Sequence, residues 1–359
     1  MRRNESGISL LEVVIALAIV MLVLYAAMTF FIGTVRQYKV QTKIIETNVE
    51  GVLGLELLRR DVESLGFGLP WDNGVSYTER SGVASEITAL NDSPGAPRPV
   101  LSVDNASFTV NSSDYLVIRS ARVGSSDAAG KWTILQTGPV TRPWGSAEED
   151  LSGTDRVIVI APGGVNQNRR TLVTPVGGTN FSSLAAYAPI DANQANIVYG
   201  IDNGTLVRPF NRAEYYIDDT AGTVPPRCAA NTGVLVKAVV EHDPNGTTPV
   251  LLPLLDCVAD MQVVYGLDTN ADRAVEDWED DITPLSAGMI RTQLVEVRVH
   301  ILAQEGQRDP SYTHTASSVT VGSEGAGRSF DLNGIIGSGY QHYRWKVYSI
   351  VVKPRNLAN

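Results

Sequence analysis

The sequence is poor in the residues that most often carry catalysis or bind metal ions. Among its 359 residues are only two cysteines, Cys228 and Cys257. It has four histidines, and none has metal-binding spacing: His242, His300, His314 and His342. It also lacks a P-loop, a G-x-S-x-G elbow and an H-E-x-x-H motif. We therefore predict that the chain is not an enzyme.

Basic residues are also scarce. Lysine and arginine together number 29 against 39 acidic residues, which gives a net charge of −10. Without a basic stripe, nucleic acid is not an expected partner. No internal repeat interrupts the chain, and its 32 glycines and 18 prolines suit a folded body rich in strands and turns.

The long apolar run from Ile8 to Ile32 dominates the N-terminus. Its twenty-five residues span roughly 37 Å as a helix, enough to cross a bilayer core with some tilt. Glu12 is the only charge in the run, and a carboxylate at mid-membrane costs about 2.5–3.5 kcal/mol. Arg2 and Arg3 precede the run, so its N-terminal end should stay cytoplasmic.

Three interpretations of this run are possible. A cleaved secretory signal requires a shorter apolar core and a small-x-small site, and a plain membrane anchor leaves Glu12 unexplained. The stretch Gly7-Ile8-Ser9-Leu10-Leu11-Glu12 resembles instead the class III signal of type IV pilins and pseudopilins. This resemblance implies prepilin peptidase cleavage after Gly7 and methylation of the new N-terminus, although Ile8 stands where the family usually has Phe. It also implies that Glu12 meets the amino terminus of a neighbouring subunit. The alternative is that Glu12 only reaches the lipid headgroups.

Beyond the membrane segment, the helical pattern continues to Leu65. Apolar residues recur in steps of three and four, at Ile45, Val49, Val52, Leu55, Leu58, Val62 and Leu65. No proline interrupts Ile8 to Leu65, so one helix of roughly 87 Å is predicted. Gly33, Gly51 and Gly54 mark either bends or close packing, and the stretch Gly66 to Pro70 should end the helix.

After Pro70 the pattern changes to short strands separated by turns, with a loop-like stretch from Trp71 to Val100. Twelve strands are predicted, at Ser107–Val110, Tyr115–Ser120, Trp132–Leu135, Arg156–Ile160, Thr171–Val173, Ile197–Ile201, Leu206–Phe210, Ala213–Ile217, Leu235–Val240, Cys257–Tyr265, Arg291–Leu302 and Tyr343–Val352. Asp202-Asn203-Gly204 should form a tight hairpin turn. The predicted fold is α+β: a long N-terminal helix carrying a β-rich head of antiparallel sheet.

Later segments narrow the resemblance. The end of the predicted helix (residues 59–68), a central strand (258–266) and the last strands (295–302 and 351–357) resemble PilW-type minor pilins. Residues 71–231 carry no such resemblance. The implied organisation is a leader (1–7), a transmembrane or filament-core half-helix (8–33), an amphipathic half-helix (34–66) and a periplasmic head (67–359).

The resemblance also implies a function and a location. The chain would be a single-pass inner-membrane protein that is later incorporated into a type IV pilus as part of a priming or tip complex. Expected partners are other pilins, prepilin peptidase, the inner-membrane assembly platform, membrane lipid and a tip adhesin. One alternative is a GspJ-like minor pseudopilin of a type II secretion system. The other is a membrane-anchored periplasmic enzyme.

Two features of the head bear on its chemistry. Cys228 and Cys257 are expected to form a structural disulfide that stabilises the fold by roughly 3–4 kcal/mol, the alternative being a reactive thiol pair.

The loop after the central strand has oxygen side chains at Ca²⁺-loop spacing: Asp268, Asn270, Asp272, Glu276 and Glu279. Arg273 stands at its sixth position, where glycine is usual. The loop is therefore either a calcium site or a solvated acidic turn.

Overall fold

The computed structural model describes residues 9–71, 76–163, 170–202, 204–220, 222–243 and 249–357. Its α-helices are α1 (Leu10–Glu63), α2 (Ser85–Ala89), α3 (Ala287–Gln293) and α4 (Leu332–Ile335). Its strands are β1 (Val100–Val103), β2 (Tyr115–Ser120), β3 (Trp132–Gln136), β4 (Val140–Thr141), β5 (Arg156–Ala161), β6 (Thr171–Leu172), β7 (Thr179–Asn180), β8 (Ala195–Gly200), β9 (Asn211–Asp218), β10 (Gly233–Val240), β11 (Pro249–Leu267), β12 (Asp277–Glu279), β13 (Leu294–Glu305), β14 (Ser318–Ser323), β15 (Ala326–Asp331) and β16 (Arg344–Val352). Short 3-10 helices lie at Val110–Ser112, Ala121–Val123, Phe181–Tyr187 and Ser338–His342.

The predicted long helix is confirmed as a single element, α1, of 54 residues. Ser9 caps its N-terminus, and Ser64 follows its last residue. Gly66 then adopts a φ of 73°, a left-handed conformation that suits glycine and turns the chain away from the helix axis. Leu10–Ile45 is apolar enough to cross a membrane by length and composition, and its most apolar stretch is wholly exposed.

The described strands of the head form three antiparallel sheets. The main sheet has the order β1-β2-β9-β10-β11-β13-β16, with β12 paired to β11. A second sheet has the order β4-β3-β8-β5-β6, with β7 paired to β5, and β14 and β15 form a separate hairpin. Together with α1, these sheets confirm the predicted α+β class.

α1 packs across one face of the main sheet through the second part of its sequence. Leu58, Val62 and Leu65 are fully buried in a core shared with the main sheet. A Cβ on Gly51 would lie 3.1 Å from Leu255 Cδ1, and one on Gly54 would lie 1.9 Å from the Leu254 carbonyl oxygen. These two glycines therefore permit close packing, whereas Gly33 has nothing within 4 Å.

The predicted apolar stripe is only partly buried. Leu55, Leu58, Val62 and Leu65 contact the head as expected, but Ile45, Val49 and Val52 are exposed. The reason is geometric: Ile45 and Val49 precede the close approach of α1 to the central strand β11 at Gly51 and Gly54, and Val52 lies on another face of the helix from Gly51. Earlier contact is local: Thr47 Oγ1 accepts from the backbone N of Gly306 at 3.3 Å.

One buried ion pair ties α1 to the sheet. Lys237 Nζ on β10 lies 2.6 Å from Asp61 Oδ2 on α1, and Tyr215 OH on β9 donates to the same carboxylate oxygen. Desolvation and the nearby Asp61 carboxylate raise the pKa of Tyr215 well above its ordinary value, so the phenol stays protonated and keeps donating. This contact fixes the rotation of α1 about its axis relative to the sheet.

Several local predictions were wrong. Ser107–Val110 leads into a 3-10 helix, because Asn111 and Ser112 take positive φ angles and Thr109 Oγ1 donates to the carbonyl of Ala106. Leu206–Phe210 is buried coil rather than strand, and within it Arg208 Nη2 donates to the Val240 and Glu241 carbonyls.

Three other predictions were also wrong. The hairpin turn at Asp202-Asn203-Gly204 was wrong because β8 and β9 belong to different sheets; Asn203 itself lies outside the described residues. The strand predicted from Arg291 begins at Leu294, since Ser286 caps α3 ahead of it. Six strands were missed: β1, β4, β7, β12, β14 and β15. Of these, β4, β7 and β12 have only two or three residues, and β14 and β15 are rich in small and polar residues.

A buried charge network lies under the main sheet. Glu79 Oε2 accepts from Arg119 Nε at 2.7 Å and from Arg212 Nη1 at 2.9 Å. Arg212 Nη2 lies 2.9 Å from Glu214 Oε1, and Tyr115 OH donates to Glu214 Oε2. Burial alone raises the pKa of Glu79, but the Arg119 and Arg212 guanidiniums outweigh it and lower the pKa to about 2.

This network predicts an acid dependence of stability. Because the pKa of Glu79 is lowered in the folded chain, its contribution is complete above about pH 4.5 and is lost as pH falls towards about 2. One such proton changes the unfolding free energy by at most about 1.4 kcal/mol per pH unit. Glu79→Gln should cost at most about 3–5 kcal/mol at neutral pH, because the two buried guanidiniums would lose their shared carboxylate and keep only Asp92 and Glu214 as acidic partners.

Thermal unfolding of the detergent-solubilised chain, followed by circular dichroism from pH 2.5 to 7, measures both effects. Glu148→Gln is the matched control, because Glu148 is an exposed acid. Equal melting temperatures for Glu79→Gln and Glu148→Gln would contradict the assignment of stability to this network.

Candidate functional site

The N-terminal site combines the predicted processing junction with a helix cap. Gly7 and Ile8 lie outside the described residues. Glu12 Oε2 accepts from the backbone N of Ser9 at 3.0 Å, and Ser9 Oγ accepts from the backbone N of Leu11 at 3.3 Å. Together they form a capping box at the start of α1. We did not predict this capping, although the Ser-x-x-Glu spacing is its usual sequence signal.

An unpartnered apolar surface follows directly. From Leu10 to Val35 the side chains of α1 are exposed, and Glu12 is the only ionisable carboxylate or cation among them. Exposed apolar area of this extent requires lipid or other apolar helices around it. The site can therefore mediate helix association, and its one carboxylate is available to a cation supplied by a partner.

The disulfide between Cys228 and Cys257 is confirmed, with a Cα–Cα distance of 4.9 Å. It joins the segment before β10 to the middle of β11, where Cys257 has a φ of 57°. Because the two cysteines are bonded, the alternative of a reactive thiol pair does not hold for the described chain. The bond secures the bend at which β11 passes from β10 to β13.

The acidic loop between β11 and β12 brings three of its predicted ligands together. Carboxylate oxygens of Asp268, Asp272 and Glu276 lie within 4.8 Å of one another. Asp268 Oδ2 accepts from the backbone N of Arg273 at 2.6 Å, while its Oδ1 accepts from the backbone N atoms of residues 270 to 272. Desolvation raises the pKa of Asp268, but these N–H donors outweigh it and lower the pKa overall.

The other predicted ligands are placed differently. Asn270 lies beside the group, with its Nδ2 donating to Asp272 Oδ2 at 3.2 Å. Glu279 is on β12, paired with Tyr265, and does not belong to the group of three. Arg273 takes a φ of 71°, so the sixth position does adopt the left-handed conformation for which glycine is usual.

A cleft of about 840 Å³ lies beside the end of α1. Sequence reasoning did not find it, because its walls come from α1, the second sheet and the C-terminal tail. Arg122 stacks 4.4 Å over the Phe67 ring, and the Trp132 and Trp144 rings lie 4.8 Å apart. The lining carries charges of both signs, namely Arg60, Arg122, Lys131 and Arg355 against Asp61, Glu63, Asp127, Glu148 and Glu149.

Comparison with known families gives two matches. The family model of type IV pilus-assembly protein W matches residues 214–356, which include β10, β11, β13 and β16 of the main sheet. The model of the prokaryotic N-terminal methylation motif matches residues 2–28, which include Gly7, Ile8 and Glu12.

No curated protein and no solved structure matches the chain. The first family model covers much of the sheet on which α1 packs, and the second covers the predicted junction and most of the apolar run. Taken with one long helix bearing an antiparallel β-rich head, these two partial matches support a minor pilin of type IV pilus assembly.

Proposed function

We propose that this minor pilin is cut by prepilin peptidase after Gly7, is methylated at Ile8, and joins other pilins in a complex that primes or caps the pilus. The observation that carries the proposal is the division of α1, whose first part is exposed and apolar while its last part is core of the head. A subunit built this way acts by assembly, so its role is structural rather than catalytic.

The same features support a location. The apolar helix fits a pilin anchored in the inner membrane. Arg2 and Arg3 favour a cytoplasmic N-terminus and hence a periplasmic head before assembly. An oxidising compartment also suits the disulfide between Cys228 and Cys257.

A minor pseudopilin of a type II secretion system would share the signal and the layout of helix and head. The match over residues 214–356 is to a pilus-assembly family, and it favours the pilus. No observation specific to this chain favours the secretion alternative or a membrane-anchored enzyme.

Glu12 has a defined chemical role in this proposal. In the single chain its carboxylate caps the first turn of α1 through the backbone N of Ser9. Cleavage after Gly7 would create an ammonium at Ile8. The same carboxylate could then pair with the ammonium of a neighbouring subunit, because a charge among apolar helices is stabilised by an opposite charge. Such pairing would set the axial register between two subunits.

The processing step is tested by Gly7→Glu. Because Gly7 precedes the proposed cut, this change should leave an uncleaved, membrane-retained chain that keeps residues 1–7. Mass spectrometry of the chain isolated from cells measures the difference, with Asn4→Ala in the leader as the control that should still be cut. A mature wild-type chain that begins anywhere other than Ile8 would contradict the assignment.

The assembly role is tested by comparing Glu12→Ala with Glu12→Gln. Both remove the charge, but glutamine keeps an oxygen that can accept from Ser9 N, so only the alanine change removes the cap. If pairing with an ammonium matters, both variants should be cleaved normally and both should lose most of the co-isolated partner pilins. Normal co-isolation with Glu12→Gln would assign Glu12 to helix capping alone.

We further propose that the loop from Asp268 to Glu276 binds Ca²⁺. Its support is the close approach of the three carboxylates and the left-handed conformation of Arg273. Hard oxygen ligands of this kind suit Ca²⁺, and Asn270 can add a neutral oxygen. The ion would relieve the repulsion between the three carboxylates.

Calcium binding should raise the melting temperature of the full chain. A hundredfold excess of Ca²⁺ over its dissociation constant adds about 2.7 kcal/mol to the unfolding free energy. Asp272→Asn with Glu276→Gln should abolish the gain and keep the turn around Asp268, whereas Glu279→Gln should retain it. If neither millimolar Ca²⁺ nor a chelator changes the melting temperature, the loop is a solvated acidic turn and the calcium proposal is wrong.

A further inference from the structure

The first part of β11 is an exposed apolar strand end. Val250, Leu251 and Leu252 are 39%, 43% and 38% exposed, although the residues of β10 opposite them are buried. β13 pairs with β11 only from Val258 onward. Among the described strands, none pairs with the other edge of β11 before that point. We call this strand end, residues 249–253, the β11 arm.

The register of the main sheet assigns a face to each residue of the β11 arm. Leu252 lies directly opposite Lys237, and Lys237 Nζ reaches Asp61 on α1. Cross-strand partners project on the same face of a sheet, so Leu252 lies on the face that carries α1. Val250 shares that face because side chains alternate along a strand, and Leu251 lies on the opposite face.

α1 and the β11 arm therefore border one apolar groove. α1 crosses β11 at Leu254 and Leu255, which contact Gly54 and Gly51. Leu252 and Val250 precede Leu255 by three and five residues, so they lie roughly 10 and 17 Å from Leu255 along the strand. A helix with its side chains is about 10–12 Å wide, so the space beside α1 has the width of one more helix.

The neighbouring wall on α1 carries two exposed leucines, of which Leu57 also lines the cleft that contains Arg60 and Glu63. Leu53 and Leu57 on α1, one helical turn apart, are 70% and 36% exposed. Their spacing of four residues forms a ridge of the kind that packs against a second helix. This ridge continues the exposed apolar surface of α1 that begins at Leu10.

We propose that the groove formed by Val250, Leu252, Leu53 and Leu57 binds the apolar N-terminal helix of a neighbouring pilin. This inference rests on the proposed function, because it requires assembly with other pilins. A helix like the first half of α1 suits the groove, since it carries no charge between Val13 and Val35 that would face Leu252. The contact joins different surfaces of the two subunits and can therefore be repeated along a filament.

A photo-crosslinking amino acid placed at single positions of the full-length chain in cells tests the proposal. A cross-linker at Leu252 should capture another pilin, with the product mapping to that pilin's N-terminal helix. Leu251 is the matched control, because it is equally exposed on the adjacent position but projects from the other face. Equal capture from Leu251 and Leu252, or capture of only lipid or non-pilin protein at Leu252, would overturn the proposal.

A cross-linker at Leu17 separates this inference from the proposed function. Leu17 lies in the exposed apolar half of α1, so it should capture pilins whenever the chain assembles. Capture at Leu17 without capture at Leu252 would reject the groove and leave assembly intact. Capture at neither position would reject the proposed function itself.

A pair of substitutions gives a second readout. Val250→Asp should lower the amount of co-isolated pilin by about tenfold or more, because Val250 lies opposite Val239 and the contact would bury an unpaired carboxylate. Leu251→Asp should leave that amount unchanged, and both variants should accumulate to the wild-type level. An equal loss from both variants at equal protein levels would contradict the groove.

Discussion

The seam between α1 and the main sheet is the contact on which the rest of the structure depends. The first part of α1 must supply an apolar surface for the membrane, and its last part must supply part of the core of the head. Gly51 and Gly54 allow the backbone of α1 to approach β11, and Leu58, Val62 and Leu65 then fill the core. The Asp61–Lys237 pair, with Tyr215, fixes the helix on the sheet within this apolar contact.

This seam joins the head to the apolar half of the helix. α1 runs from Leu10 to Glu63 without interruption and contains no proline, so the two parts share one continuous helix. The seam is reinforced on the sheet side, where the disulfide holds the bend in β11 and the charge network around Glu79 anchors β2 and β9. A subunit of this kind can present its head at a defined position when its helix joins others.

Features with a local signal could be predicted from the sequence. The helix follows from an apolar period without proline, its end from Gly66, and strands such as β13 and β16 from alternating side chains. The disulfide was expected because the chain has only two cysteines beyond a membrane segment. In the acidic loop, spacing identified Asp268, Asp272 and Glu276, while Glu279 is on a strand whose pairing is set by β11.

Features that depend on tertiary contacts could not be predicted. Glu79, Arg119, Arg212 and Glu214 are charged residues that a sequence places at the surface, and only the fold shows that they are buried together. Leu206–Phe210 has the composition of a strand, yet its place between two sheets makes it buried coil. The exposure of Ile45, Val49 and Val52 depends on where α1 meets β11, which periodicity does not determine.

The most direct test of assembly as the function is to count pili by electron microscopy on cells that lack this chain, with the wild-type chain restored as the control. We expect few or no pili without the chain and recovery when it is restored, because a priming or tip subunit is required at the start of each filament. Normal pilus numbers in its absence, together with no trace of the chain in pili sheared from wild-type cells, would contradict a role in pilus assembly.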